Sequence, residues 1–179
     1  MTLINSYGGP DSNAYIDITQ ANSFIRTATL DNDAWFALSN TQKSAALMMA
    51  SSDIDARQYV GSRYFFDQHL EFPRQLQSSF PWIRTQSSTF TQDTIQKRMQ
   101  ENVSQAAALQ ALKIARDGGR NRHLENIANG IVGVSESVGP IREFIQYGQA
   151  KGTGSSSKYD PQALALLQEW MTGRKIYRK

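Results

Sequence analysis

The chain has 179 residues, of which 40% are hydrophobic and 20% charged, and its formal net charge at pH 7 is +3. That length suits one domain with short appendages, and so small a net charge does not by itself indicate a nucleic-acid-binding protein. Cysteine is absent, which excludes disulfides, thiolate zinc sites and cysteine nucleophiles. No apolar run approaches the ~20 residues of a membrane span, and the first residues lack the pattern of a signal peptide, so we expect a soluble intracellular protein.

Helices are predicted for much of the first third of the chain. Residues 1–12 are mostly small and turn-forming and should be a flexible lead-in. A first helix is predicted after an N-cap at Thr19. A short helix or turn follows over 31–38, and a stronger helix runs from 41 to about 56 with its N-cap at Ser39 or the following residue.

Residues 57–90 lack helical or strand periodicity and are rich in aromatic residues. We predict a long ordered loop that is held in place by its rings, and such loops are usually functional or bound to a partner. The aromatic residues are Tyr59, Tyr64, Phe65, Phe66, Phe72, Phe80, Trp82 and Phe90.

A long helix, a hairpin and a short C-terminal helix are predicted in the second half. Residues 93–116 have apolar residues at helical spacing and no interior Gly or Pro. Apolar and polar residues alternate over 126–147, as in the two strands of a hairpin. A Gly/Ser-rich linker over 148–158 then precedes a helix with Asp160 as N-cap and Pro161 at its first position.

The predicted fold class is therefore mainly α: a small helical bundle with a β-hairpin, a long aromatic loop and a tethered C-terminal helix. Its parts are the lead-in at 1–12, a helical domain with its hairpin at 13–147, the linker at 148–158, and the C-terminal helix with a basic tail at 159–179.

The C-terminal helix has an apolar side and no core of its own nearby. Isolated helices of this length are marginal in water, so it must either fold back on its own domain or dock into a groove of another protein. Docking is the favoured alternative, and removal of 159–179 is then expected to leave the fold intact.

Nothing in the sequence predicts catalysis or a cofactor. The two histidines have no second ligand at zinc-site spacing and are predicted to be surface or loop hydrogen-bonding residues. The carboxylate pairs Asp31 and Asp33, and Asp53 and Asp55, are each two residues apart, which on a helix points them in different directions. They are predicted to be solvated or to cap helices. We therefore predict a protein that is not an enzyme and holds no cofactor or metal.

Basic residues leave nucleic-acid binding open. Cations from Arg116 to His123 and in the tail at 174–179 can contact phosphates, and exposed tyrosines can stack on bases. Helix C-termini also favour cations through the helix dipole, which accounts for Arg116 and for the run after Trp170 without DNA. A solvated or protein-facing role is favoured over direct DNA contact.

Several short segments occur in an order typical of one protein family. They are Asn13-Ala14-Tyr15-Ile16, Asp33-Ala34-Trp35, Gly61-Ser62-Arg63, Leu70-Glu71-Phe72-Pro73-Arg74 and Val138-Gly139-Pro140-Ile141. Over about residues 13–147 the chain resembles the head-to-tail connector, or adaptor, family of tailed phages, whose members are also labelled DnaT-like single-stranded DNA-binding proteins.

The resemblance implies a structural virion protein. Connector subunits form a homo-oligomeric ring of about twelve copies, with the portal protein above, tail or nozzle proteins below, and double-stranded DNA passing through the channel. The expected location is the virion neck, with the host cytoplasm during assembly. A single-stranded DNA-binding accessory protein of phage replication is the alternative.

Three groups of contact residues are predicted with that role. Portal docking is assigned to Leu164, Leu167, Trp170, Met171, Ile176 and Tyr177. Contact with ring neighbours or the tail is assigned to Phe65, Phe66, Phe80, Trp82, Val138, Ile141 and Phe144. Contact with DNA or the channel is assigned to Arg120, Arg122, Arg174 and Lys175.

Overall fold

The computed structural model describes residues 2–76, 92–117, 131–135, 144–147 and 159–171, with the backbone alone for Gln92 and for the two strands after residue 130. Its described part is mainly helical with an antiparallel hairpin and a C-terminal helix, which confirms the predicted fold class. The helices are α1 (Ile18–Ala28), α2 (Asp33–Phe36), α3 (Asn40–Asp55), α4 (Gln92–Arg116) and α5 (Pro161–Leu167), which a 3-10 helix (Gln168–Trp170) continues. The strands are β1 (Ser62–Arg63), β2 (Arg74–Gln75), β3 (Ile131–Ser135) and β4 (Phe144–Tyr147).

Helix α4 lies at the centre of the bundle, because α1, α2, α3 and α5 all pack against it. Its buried residues recur at helical spacing and include Met99, Val103, Ala106 and Ala107, as predicted. The alanines lack bulky side chains, so neighbouring helices can approach α4 closely.

The first two long helices are capped by side chains at their N-termini. Asp17 caps α1, since its Oδ1 accepts a hydrogen bond of 2.8 Å from Gln20 N. The predicted cap at Thr19 is therefore wrong, because Thr19 already lies in the first turn. Ser39 and Gln42 cap α3 reciprocally: Ser39 Oγ accepts from Gln42 N at 3.3 Å, and Gln42 Oε1 accepts from Ser39 N at 2.9 Å.

The predicted hairpin is confirmed by the pairing of β3 with β4. The strands run antiparallel, with Ser135 opposite Phe144 and Ile131 opposite Tyr147, and the register shifts between Ile131 and Gly133. Such a shift is typical of a β-bulge.

Helix α5 folds back on its own domain. Asp160 caps it by accepting from Gln162 N at 2.8 Å and from Ala163 N at 3.0 Å, and Pro161 follows as predicted. Its apolar side rests on α4, and the Trp170 side chain is only 1% exposed. The helix therefore buries its apolar side against its own domain. The favoured prediction, that it docks into a groove of another protein, is corrected.

Polar contacts around the C-terminal helix support the same packing. Val60 N donates to the Trp170 carbonyl at 2.9 Å, so the chain after α5 pairs with the segment after α3. Glu169 bridges to α4, through an ion pair of 3.0 Å with Arg98 and a hydrogen bond of 2.9 Å from Asn102 Nδ2. The helix end is thus held by both apolar burial and directed contacts.

Two of the four paired carboxylates are buried or partly buried. Asp53 is buried and accepts a hydrogen bond of 3.1 Å from Gln110 Nε2 of α4. Asp55 accepts a hydrogen bond from the Tyr15 hydroxyl. The expectation of solvated or capping side chains is wrong for both residues, because α3 is covered on the sides from which they project. Asp31 is exposed and forms an ion pair of 3.2 Å with Arg116.

Candidate nucleic-acid interface

Three consecutive aromatic residues protrude from the loop that joins β1 to β2. The exposed fractions of these residues are 42% for Tyr64, 45% for Phe65 and 106% for Phe66. The Tyr64 and Phe65 rings meet edge to face with their centroids 4.9 Å apart. We call Tyr64, Phe65 and Phe66 the aromatic ridge. Exposed rings of this kind can stack on unpaired bases.

A buried glutamine holds the backbone of the aromatic ridge in shape. Gln68 Oε1 accepts a hydrogen bond of 2.9 Å from Phe65 N, and Gln68 Nε2 donates to the carbonyls of Leu70 at 2.7 Å and Pro73 at 3.1 Å. Tyr64 N donates to the same Pro73 carbonyl at 3.0 Å. The ridge is therefore preorganised, which lowers the entropy lost when a ligand binds.

The buried guanidinium of Arg74 closes the base of the loop. Its Nε donates to the Val60 carbonyl at 2.9 Å, and its Nη2 donates to the Gly61 carbonyl at 2.6 Å. Its Nη1 also forms an ion pair with the Glu71 carboxylate. Gly61 has a φ of +79°, a conformation that glycine adopts without strain.

Asp55 ties the same loop to the end of α3. Its Oδ1 accepts hydrogen bonds from the Tyr15 hydroxyl and, at 3.3 Å, from Glu71 N. The Tyr15 hydroxyl oxygen in turn accepts from Phe72 N at 3.2 Å. Burial raises the pKa of the Asp55 carboxyl to about 6, although the hydrogen bonds from Tyr15 and Glu71 act in the opposite direction. The segment just before α1, the end of α3 and the loop between β1 and β2 thus meet at the carboxyl group of Asp55.

Charges near the aromatic ridge balance one another. Arg63 forms an ion pair of 2.6 Å with Glu71, whose other carboxylate oxygen faces Arg74. Asp67 is exposed beside the ridge. The ridge therefore offers stacking surface but little net positive charge for phosphates.

The predicted contact residues differ in their exposure in the structure. Phe65 and Phe66 are exposed, whereas Leu167 and Trp170 are buried and Leu164 and Met171 are partly buried. The side chain of Phe144, at the start of β4, is not described. The remaining predicted contacts lie outside the described residues: Phe80, Trp82, Arg120, Arg122, Val138, Ile141, Arg174, Lys175, Ile176 and Tyr177.

Sequence reasoning missed several residues that shape this surface. Tyr64 is one of several aromatic residues of the loop, and nothing in the neighbouring sequence distinguishes it as exposed. Gln68 and Arg74 look like ordinary loop residues in the sequence, because the carbonyls that they bind become neighbours only when β1 pairs with β2.

The described part of the chain contains no group of three or more His, Cys, Asp or Glu side chains able to hold a metal ion. None of its helices is both long and apolar enough to cross a membrane. His69 is exposed, with its Nδ1 2.8 Å from the Ser12 carbonyl oxygen, and His123 lies outside these residues.

A protein-family model matches residues 1–178. Its description is "Putative DnaT-like ssDNA binding protein". No curated protein and no solved structure matches the chain.

This match corrects the predicted role as a virion connector. The connector family, the ring of about twelve copies, and the portal, tail and double-stranded DNA partners are wrong, because the match spans almost the whole chain and describes single-stranded DNA binding. The predicted location in the virion neck depended on the same resemblance. The alternative function agrees better with the match. The chain belongs to the family that this model describes, "Putative DnaT-like ssDNA binding protein".

Proposed function

We propose that this protein binds single-stranded DNA, and that it acts by binding with no catalytic step. The observation that carries this proposal is the family match over residues 1–178, whose description specifies single-stranded DNA binding. In the proposed complex, unpaired bases stack on the aromatic ridge while basic residues elsewhere neutralise phosphates.

The aromatic ridge supports the stacking part of the proposal. Stacking of a base on an aromatic side chain contributes about 1–3 kcal/mol and tolerates any sequence, because every base has a flat face. Tyr64, Phe65 and Phe66 present such rings on a loop whose backbone is fixed by buried hydrogen bonds.

The distribution of charge along the chain supports the proposed contact between basic residues and phosphates. Ten of the 19 Lys and Arg residues, but only three of the 16 Asp and Glu residues, lie in 77–91, 118–130, 136–143, 148–158 and 172–179. The rest of the chain, which includes the helical bundle, carries nine basic and thirteen acidic residues. The basic residues of those five segments are therefore candidates for contacts with the phosphates of a polyanion.

The test measures binding of a fluorescently labelled oligothymidine by anisotropy, with Phe66→Ala compared with Leu30→Ala. Phe66 and Leu30 are 106% and 104% exposed, so neither substitution removes core packing. We expect wild-type affinity to fall steeply as salt rises, Phe66→Ala to weaken binding about tenfold, and Leu30→Ala to leave it unchanged. A wild-type protein that binds no oligothymidine at low salt would overturn the proposal.

A further inference from the structure

A lysine occupies a core position in the first turns of α3. Lys43 shares a face with the buried residues Ala46, Leu47 and Ala50, at the spacing where an apolar residue is expected. The residue is only 7% exposed. A methionine would fill this space without taking an ammonium group partly out of water, so the charge itself requires an explanation.

Two cations converge on one ring in this part of the bundle. Lys43 Nζ lies 5.2 Å from the centroid of the Phe36 ring and 5.6 Å from that of Trp35. The guanidinium carbon of Arg26, in the last turn of α1, also lies 5.2 Å from the Phe36 centroid. The two cations can therefore be no further apart than the sum of their distances to that ring. We call Arg26, Phe36 and Lys43 the cation cluster.

Neither cation of the cluster forms an ion pair with a carboxylate of the described residues. Five other basic side chains of that part of the chain do: Arg63, Arg74, Arg98, Lys113 and Arg116. Asp31, which follows α1, is paired with Arg116. Within the described residues the positive charge of the cluster thus has no carboxylate partner, whereas the aromatic ridge has stacking surface with balanced charge.

We propose that Arg26 and Lys43 bind a backbone phosphate of single-stranded DNA at the cation cluster. The inference rests on the proposed function, which supplies the class of ligand. A guanidinium and an ammonium that both lie 5.2 Å from the centroid of one ring can together supply donors to the several oxygens of a phosphodiester. Phosphate contacts of this kind position the strand without reading its sequence.

The test compares Arg26→Gln, Lys43→Met and the control Lys97→Gln by oligothymidine anisotropy from 50 mM to 500 mM salt. Lys43→Met retains an unbranched side chain of similar length, and each of the three variants removes one positive charge. Lys97 lies exposed on α4 and has no ion pair among the described residues. It therefore controls for the loss of net charge.

We expect Arg26→Gln and Lys43→Met each to lower the slope of log affinity against log salt by about 0.7, which corresponds to one lost phosphate contact and about eightfold weaker binding at 50 mM salt. Lys97→Gln should leave the slope unchanged. The melting temperature of Lys43→Met should be equal to that of wild type or higher, because packing on Trp35 is retained and the ammonium is removed.

Two results would overturn the inference while leaving the proposed function in place. One is unchanged slopes for Arg26→Gln and Lys43→Met in a protein whose wild type binds. The other is an equal fall for Lys97→Gln, which would show that only net charge matters. If the wild type does not bind oligothymidine, the proposed function itself is overturned, and single-stranded DNA is then not the ligand of the cation cluster.

Discussion

At the scale of single residues, Asp55 combines a structural contact with sensitivity to pH. Its carboxyl accepts hydrogen bonds from the Tyr15 hydroxyl and Glu71 N, yet burial raises its pKa from an ordinary value of 3.8 to about 6. Because the folded state then holds the proton more tightly than the unfolded chain, ionisation of Asp55 lowers the stability of the fold.

Asp55→Asn should remove the pH dependence of stability that Asp55 causes, while the amide oxygen of the asparagine still accepts both hydrogen bonds. In wild type the contribution of Asp55 to the free energy of unfolding should fall as pH rises from about 4 to about 6, and then remain constant. Relative to Asp55→Asn, we expect a loss of about 2 kcal/mol over that window, with partial solvent access taken into account. Urea unfolding at a series of pH values measures it, and parallel profiles for the two proteins would contradict the assignment.

Tyr15→Phe provides a companion variant for the same site. The Tyr15 hydroxyl donates to the Asp55 carboxylate and so lowers its pKa. Without that donor the pKa should rise further, and the loss of stability should extend to higher pH than in wild type. An unchanged pH window would show that the Tyr15 hydroxyl does not interact with the ionised carboxyl group.

At the scale of elements, α5 is part of the helical bundle. Trp170 is almost completely buried and its carbonyl accepts from Val60 N, so the C-terminal helix contributes both apolar area and a backbone contact. Removal of 159–179 should therefore destabilise the fold, contrary to the expectation of a detachable arm.

Trp170→Ala should lower the free energy of unfolding by about 3–5 kcal/mol, the range typical of a large aromatic residue removed from a core. Leu164→Ala on the same helix is the matched control, because Leu164 is only partly buried and should cost about 1 kcal/mol. Denaturant unfolding measures both losses, with the same slope of free energy against denaturant concentration used for the two variants. A loss for Trp170→Ala no larger than for Leu164→Ala would mean that α5 is not docked in solution.

At the scale of the whole molecule, positive charge is concentrated at the C-terminal end of the sequence. The last eight residues, 172–179, contain four Lys and Arg and no Asp or Glu, so replacing these four with Gln changes the net charge from +3 to −1. The substitutions lie after Trp170 and leave the core residues of α5 unchanged.

The protein with all four tail cations replaced by Gln should bind single-stranded DNA with a salt slope reduced by up to about 3, if every cation neutralises one phosphate. Its free energy of unfolding should stay within about 0.5 kcal/mol of wild type, as for surface substitutions generally. Oligothymidine titrations from 50 mM to 500 mM salt measure the slope. A slope equal to that of wild type would place the phosphate contacts elsewhere on the chain.

Elements whose causes are local can be predicted from the amino-acid sequence alone. Helical spacing predicts α4, the cap preference places the start of α3 at Ser39 or Asn40, and the alternation of apolar and polar residues predicts the hairpin, because each pattern involves residues a few positions apart. The residues that cover each element, by contrast, become known from the three-dimensional packing. Trp170 meets Val60, Gln68 and Arg74 bind the carbonyls of one loop, and Arg26 and Lys43 converge on Phe36 from different helices. Such contacts depend on the packing of distant segments, which short-range patterns do not specify.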